Sequence, residues 1–153
     1  MSEIISASEF LELAGQDLEP SSWLEITQER VNQFADATND HQFIHTDPQK
    51  AASSPFGGPI AHGFLTLSLL SHLTAEKSKV PQGLTMGINY GSDKVRFLQA
   101  VPVGSRIRAL QKVLEVTEKK PGQFLIKTKV TVEIENFEKP ALIAEFLGLL
   151  ITG

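Results

Sequence analysis

Apolar and polar positions alternate most regularly between residues 124 and 135. Charged residues occupy odd positions there, and apolar residues occupy even ones, namely Phe124, Ile126, Val130, Val132 and Ile134. A period of two is typical of a strand with one buried and one solvated face. The run Ala141 to Ile151 is apolar at odd and even positions alike, which predicts a central strand. Residues 84–90, 94–98 and 105–117 predict three more strands, the first two separated at Gly91-Ser92.

A helical period covers Ile60 to Lys77. Leu65, Leu69 and Leu73 share one face of this helix, and further leucines flank that face. Most of the circumference is therefore apolar and must be covered by other elements. The segment also contains serine, threonine and histidine, and it is shorter than the roughly 20 residues that a bilayer span needs. We therefore predict a buried central helix and no membrane span.

The remaining helices come early in the chain. Ser6 and Glu9 form a possible capping box for a short peripheral helix, and Thr27 is a plausible N-cap for a helix that ends near Asn39. Asp47-Pro48 predicts the start of a short helical turn. Helices followed by an antiparallel meander indicate an α+β architecture, with the sheet curled round one long helix. At 153 residues, we expect a single domain, residues 1–153.

Composition and charge exclude several classes of function. The absence of cysteine removes thiol nucleophiles and thiolate metal sites. The N-terminus lacks a basic region followed by an apolar run, so we expect no secretory signal and a cytoplasmic protein. A net charge of −4 disfavours nucleic acid as a partner. We interpret the basic residues of the strands as a solvated face, among them Lys94, Arg96, Arg106 and Arg108.

Polar residues suited to chemistry lie together before the central helix, at Asp40, His41, His45 and His62-Gly63. A carboxylate and an imidazole five residues apart, as Asp40 and His45 are, can converge to hold and activate a water if the loop folds back. The alternative is that Asp40 only turns the chain and His45 is a surface histidine. The pattern by itself leaves both interpretations open.

Other chemistry finds less support in the sequence. Asp40, His41 and His45 carry metal-ligating atoms, but we predict a loop there and no motif such as HExxH adds a ligand, so no metal site is expected. Sequences typical of a nucleophile elbow, a P-loop or a dinucleotide site are missing. In the first helical turn, the N–H of Gly63 can bind a polarised carbonyl oxygen. Alternatively, Gly63 only permits close packing of the helix.

Three segments together resemble the MaoC-like, R-specific enoyl-CoA hydratases. They are DHQFIH (residues 40–45), the Asp47-Pro48 pair and FGGPIAHGF (residues 56–64). The later stretch INYGSDKVRFLQAVPVGSRIRA resembles the single-domain branch that includes nodulation protein N-like members. The resemblance implies a hotdog fold, in which a long central helix is wrapped by an antiparallel β-sheet. It also implies a homodimer.

The resemblance implies a reaction and a site. Asp40 and His45 match the D-x4-H pair that holds the water added to a trans-2-enoyl-CoA, which gives (R)-3-hydroxyacyl-CoA. Gly63 is expected to bind the thioester carbonyl, and Ser71 and His62 are further expected substrate-binding residues. No cofactor is implied, because CoA belongs to the substrate.

The sequence departs from the G-D-x-N-P-x-H form of the family. Asn39 replaces the glycine, and Asn tolerates positive φ better than most residues. Gln42-Phe43 replaces Asn-Pro, which bears on the loop conformation and the acyl-chain preference. Two alternatives remain: a hotdog acyl-CoA thioesterase, which has no need of the Asp40 and His45 pair, and a non-catalytic acyl-thioester-binding or dehydratase subunit.

Overall fold

The computed structural model describes residues 1–153 and contains eight strands and six helices. The strands are β1 (Glu3–Ile5), β2 (Asp17–Leu18), β3 (Leu24–Glu25), β4 (Lys79–Pro81), β5 (Leu84–Phe97), β6 (Arg106–Lys120), β7 (Gln123–Ile134) and β8 (Leu142–Thr152). The helices are α1 (Ala7–Leu11), α2 (Gln28–Thr38), α3 (Phe43–Thr46), α4 (Pro48–Ala52), α5 (Gly63–Ser68) and α6 (Leu70–Ala75). Helices come first and long strands follow, as the sequence predicts.

The main sheet is antiparallel and has the strand order β2-β6-β7-β8-β5, with β3 also paired to β6. Strands β6, β7 and β8 form the predicted meander, but β5 joins the far edge at β8 and not β6. The chain between β5 and β6 pairs with the segment before the central helix. Ala61 N–H donates to the Val101 carbonyl (2.8 Å), and Ile60 forms a bridge with Pro102. A separate parallel pair, β1 with β4, was not predicted.

The central helix is shorter than predicted and has one irregularity. It begins at Gly63 because Ile60 is part of a bridge, and it ends at Ala75. Leu69 separates α5 from α6 but keeps a right-handed helical backbone, and its N–H still donates to the Leu65 carbonyl (3.0 Å). The predicted face is confirmed: Leu65, Leu69 and Leu73 are buried in the main core.

The strand predictions are confirmed for β7 and β8 and wrong for β5. Along β7, the buried side chains include Phe124, Val130, Val132 and Ile134, and β8 is hydrogen-bonded on both sides. Strand β5 continues through the predicted break, because Gly91 lies between two register shifts that keep its pairing with β8. Glycine accommodates such a bulge without ending the strand.

The N-terminal segment is more deeply packed than predicted. The capping box between Ser6 and Glu9 forms and starts α1. The helix lies at the surface, as predicted, with its other four residues exposed, but Phe10 is fully buried against Phe124 in a second apolar cluster. In the basic cluster, Arg106 pairs with Glu135 and Arg108 pairs with Glu133. No helix of the structure has the length and apolar character needed to cross a membrane.

Candidate active site

A left-handed residue places Asp40 at the end of α2. Thr27 caps the start of this helix, as predicted, and Asn39 ends it with φ 58°. Asparagine adopts this backbone more readily than most residues, so the substitution at Asn39 preserves the turn. The Asp40 N–H donates to the Ala35 carbonyl (3.1 Å), and its side chain is exposed.

His45 lies on a one-turn helix, α3, where the sequence predicts a loop. Gln42 is the N-cap residue and Phe43 is the first residue of α3, so this one-turn helix begins at the pair that replaces Asn-Pro. Gln28 of α2 reaches across and donates through Nε2 to the His45 main-chain carbonyl (2.8 Å). The His45 side chain is buried, at 7% exposure.

The hydrogen bond of His45 fixes which ring nitrogen is free. Nδ1 lies 2.7 Å from the Ile60 carbonyl, so it carries the hydrogen and donates it. Nε2 has no protein partner and keeps its lone pair. Burial lowers the pKa of His45 below its ordinary value, with the Coulombic effect of His62 in the same direction; the Ile60 bond and Asp40 act in opposition. A neutral imidazole of this tautomer can accept a proton.

His62 is buried beside His45, at 2% exposure. The two rings stack with centroids 3.8 Å apart, and Phe34 lies on His62 at 4.9 Å. Nε2 of His62 donates to the main-chain carbonyl of Asp40 (2.9 Å), while its Nδ1 has no partner. His62 thus contacts both residues that are expected to hold the water. It hydrogen-bonds to the main chain of Asp40, and its ring stacks on His45.

Asp40, His45 and His62 converge although 22 residues separate the first from the last. A carboxylate oxygen of Asp40 and one nitrogen of each ring lie within 4.8 Å of one another. No hydrogen bond joins the Asp40 carboxylate to His45, so a single water can lie between them and bond to both. His41 is not part of the set, because its Nε2 is bonded to Asp36 (2.8 Å).

Three such donors are also compatible with a divalent cation. Two of the four ring nitrogens are already committed to carbonyl groups, His45 Nδ1 to Ile60 and His62 Nε2 to Asp40. This set contains His62 in place of His41, which was considered with Asp40 and His45 in the sequence, where no metal site was expected. Spacing along the chain gave no sign of the third member.

Gly63 opens the central helix next to this cluster. No side chain caps the helix start, and the Gly63 N–H has no protein acceptor. Gly63 lines a cavity of about 260 Å³ together with His45, Thr66 and Phe97. A Cβ at Gly63 would lie 3.1 Å from the Phe97 ring. Thr66 and Phe97 were not singled out from the sequence, where they look like ordinary helix and strand residues.

Ser71 lies on α6, away from this cavity. Its hydroxyl donates to the Asn89 side-chain oxygen of β5 (3.4 Å). Both residues line a separate cavity of about 370 Å³ between the second half of the central helix and the sheet. The structure therefore brings together Asp40, His45, His62 and Gly63, and it places Ser71 in a neighbouring space.

Sequence comparison identifies a family that matches most of the chain. The family model described as MaoC like domain matches residues 9–136. Nodulation protein N of Rhizobium meliloti strain 1021 is 48% identical over 146 residues, which cover 95% of this chain and 91% of that protein. The 3-hydroxyacyl-thioester dehydratase Z of Mycobacterium tuberculosis strain H37Rv is 48% identical over 140 residues, which cover 92% of each chain.

Structural comparison agrees with the expected fold. The solved structure of the (R)-hydratase from A. caviae superposes with a TM-score of 0.71 and 25% identity, covering 88% of this chain and 94% of that one. The fold is therefore the hotdog fold, as expected from the sequence, although the wrapped helix is irregular at Leu69.

Proposed function

The chain belongs to the MaoC-like dehydratase family, and we propose that it adds water reversibly to trans-2-enoyl-CoA, giving (R)-3-hydroxyacyl-CoA. Family membership confirms the resemblance noted in the sequence and gives the broad class, dehydration of acyl thioesters. Two relatives with less coverage support the finer proposal: the (R)-specific enoyl-CoA hydratase of Aeromonas caviae and the 3-hydroxybutyryl-CoA dehydratase of Methylorubrum extorquens are 32% and 33% identical.

One observation carries the proposal: a carboxylate oxygen of Asp40 and a ring nitrogen of His45 lie within 4.8 Å of each other, with no hydrogen bond between them. The His45 Nδ1–H is bound to Ile60, so Nε2 is the ring nitrogen left to accept a hydrogen bond from the proposed water. The water donates one hydrogen to Nε2 and the other to the Asp40 carboxylate. Both contacts orient its oxygen lone pair for attack on C3 of the enoyl group.

The proton balance of the reaction follows from this arrangement. As the water oxygen bonds to C3, one water proton passes to the pair, and the C2–C3 π electrons move towards the thioester carbonyl. A proton from the pair then bonds to C2, so the net change is addition of H and OH across the double bond. Dehydration runs through the same groups in reverse.

Gly63 is proposed to bind the thioester carbonyl oxygen. Its N–H lacks a protein acceptor and borders the same cavity as His45. Charge builds up on the carbonyl oxygen as water attacks, so a hydrogen bond at this place is stronger in the transition state than in the bound substrate. For His62, we propose a role in holding the Asp40 main chain; direct contact with substrate, through its one free nitrogen, stays a prediction.

The experiment combines purified protein with crotonyl-CoA. Loss of enoyl absorbance, followed by chiral analysis that yields the R-3-hydroxy product, is the expected result. Thiol release measured in the same sample tests the thioesterase alternative. Binding of crotonyl-CoA without either reaction would identify an acyl-thioester-binding subunit instead.

We also propose a homodimer in which β5 meets its copy. This strand is the free edge of the sheet, and it spans fourteen residues. Met86, Ile88 and Tyr90 on it are exposed large apolar residues, and Phe64 and Phe97 add an exposed aromatic pair nearby. A long apolar edge is a site for strand pairing with another chain.

A further inference from the structure

A second cavity, of about 370 Å³, lies under the second half of the central helix. Its walls are α6, the inner face of the main sheet and the N-terminal segment, which contributes Ser2, Leu13 and Leu18. About half of the lining residues are apolar, and several of the rest carry hydroxyl or amide groups. The mixture is unusual for a space that would hold only a hydrocarbon chain.

Two of the polar lining residues are buried on the inner face of the sheet. Gln111 of β6 is 5% exposed and Thr128 of β7 is 8% exposed. Gln111 pairs with Val130, and Val113 pairs with Thr128, so the two polar residues are diagonal neighbours on the buried face. Diagonal neighbours in a sheet lie roughly 7–8 Å apart, a distance that one small group between them can bridge.

Both side chains keep hydrogen-bonding capacity that the protein does not use. Gln111 donates through Nε2 to the Thr74 carbonyl (3.3 Å), but no group donates to its Oε1. The Thr128 hydroxyl makes no side-chain hydrogen bond, although its residue lines the cavity. Neither oxygen is among the fully enclosed polar atoms that lack a partner, so both can be reached from the cavity and can bind a group that enters it.

The free groups define the chemistry of their ligand. Gln111 Oε1 can only accept, whereas the Thr128 hydroxyl can donate, so a hydroxyl group that donates to one and accepts from the other satisfies both. A charged group fits less well: Lys79, the one ionisable residue on the cavity wall, lies 3.6 Å from Glu3 and is paired with it. Burying an unpaired charge would be costly.

We propose that this cavity receives the distal part of the acyl chain and that Gln111 and Thr128 recognise a hydroxyl group on it. The inference rests on the proposed function, which places the thioester carbonyl at Gly63. From Gly63 to Ser71, which lines this cavity, the helix rises about 12 Å. A group held in the cavity is therefore expected to lie well beyond the reacting C2–C3 bond. The substrate class is therefore a long-chain acyl thioester that carries a second, distal hydroxyl.

The test uses saturated thioesters, which bind but cannot be hydrated. Isothermal titration calorimetry compares dodecanoyl-CoA with hydroxydodecanoyl-CoA isomers that carry the hydroxyl in the last third of the chain. At least one isomer should bind about tenfold more tightly than dodecanoyl-CoA. Equal or weaker binding of every isomer overturns the inference, as does failure of all these thioesters to bind.

Two variants locate the preference. Thr128→Val and Gln111→Met each remove a free polar group with little change in volume. Each should reduce the preference, taken as the ratio of the two Kd values within the same variant, to about threefold or less. Thr131→Val, on the opposite face of β7, is the matched control and should keep it. A full preference in both site variants overturns the inference. If one variant does not fold, the other and the wild-type comparison decide.

Failure of the proposed function gives a different pattern. Hydration of crotonyl-CoA is measured separately and requires no distal group. A protein that fails to hydrate crotonyl-CoA but retains the hydroxyl preference in the binding assay refutes the hydratase proposal and supports the ligand preference. Normal hydration without any preference refutes only the ligand preference.

Discussion

The imidazole of His62 donates a hydrogen bond to the main-chain carbonyl of Asp40, 22 residues earlier in the chain (2.9 Å). The same ring stacks on His45 at 3.8 Å. One buried side chain thus contacts both the main chain of Asp40 and the ring of His45, the two residues proposed to hold water. This relationship makes His62 a positioning residue, and its effect on turnover can be separated from its effect on packing.

Replacing His62 should therefore slow the reaction more than it weakens substrate binding. His62→Phe keeps an aromatic ring against His45 but cannot donate to Asp40, so kcat should fall roughly tenfold to a hundredfold with little change in KM. Steady-state kinetics on crotonyl-CoA measure this split. His62→Gln can still donate and is the matched comparison. Equal kcat values for the Phe and Gln variants, at similar Tm, would exclude the positioning role.

The pH dependence should reflect the lowered pKa of His45. The acid limb of kcat/KM is expected below the ordinary imidazole value of about 6.5, because the neutral ring is the proton acceptor. An acid limb above that value would contradict the neutral, buried state of His45.

The same shift has a consequence for stability. Below about pH 6.5 the unfolded chain takes up the proton before the folded protein does, so His45 lowers the free energy of unfolding as pH falls towards its folded-state pKa. Denaturant titrations of the wild type and His45→Gln measure the free energy of unfolding at each pH. Above about pH 6.5 it should change with pH in the same way for both proteins, and below that pH it should fall less for the variant.

Gly63→Ala tests the proposed carbonyl site. The new methyl group would lie 3.1 Å from the Phe97 ring, and we expect it to crowd the proposed place of the substrate oxygen. We expect the barrier to rise by about 2–4 kcal/mol, as when one oxyanion donor is removed, and the loss to appear in kcat. A second variant, Gly63→Ala with Phe97→Leu, relieves the contact with the ring. It should regain Tm without regaining turnover; recovery of both would show that Gly63 serves packing alone.

The proposed dimer can be tested at the free edge of β5. Sedimentation at micromolar concentration should give twice the chain mass of 16.8 kDa. Met86→Lys combined with Tyr90→Lys places two charges on exposed apolar positions of this strand and should shift the mass towards one chain. Ile4→Lys is the control, because Ile4 is also exposed but lies on β1. A wild-type protein that sediments as one chain contradicts the dimer.

Local sequence patterns predicted those features that depend on neighbouring residues. The alternation along β7, the cap at Thr27 and the left-handed Asn39 are confirmed, because each is decided within a few residues. Strand β5 was wrongly divided at Gly91, since glycine looks like a break unless the partner strand that accommodates its bulge is known. The one-turn helix that carries His45 is too short to show a period.

Contacts between distant segments could not be predicted in this way. Nothing in the spacing of His62 shows that it reaches the Asp40 carbonyl; the resemblance named His62 only as an expected substrate-binding residue. Gln111 is a polar residue on the buried face of β6, and the alternation of apolar and polar residues along this strand does not indicate the cavity that Gln111 lines. These relationships arise from packing of the helix against the sheet.

The central claim is that Asp40 and His45 together activate the water. The most direct measurement is the rate of crotonyl-CoA hydration by wild type, Asp40→Asn and His45→Gln, with Tm recorded for each protein. We predict a loss of about a hundredfold or more in each variant at nearly unchanged Tm, because each removes one proton-transfer partner. Near-normal turnover in either folded variant would contradict the claim.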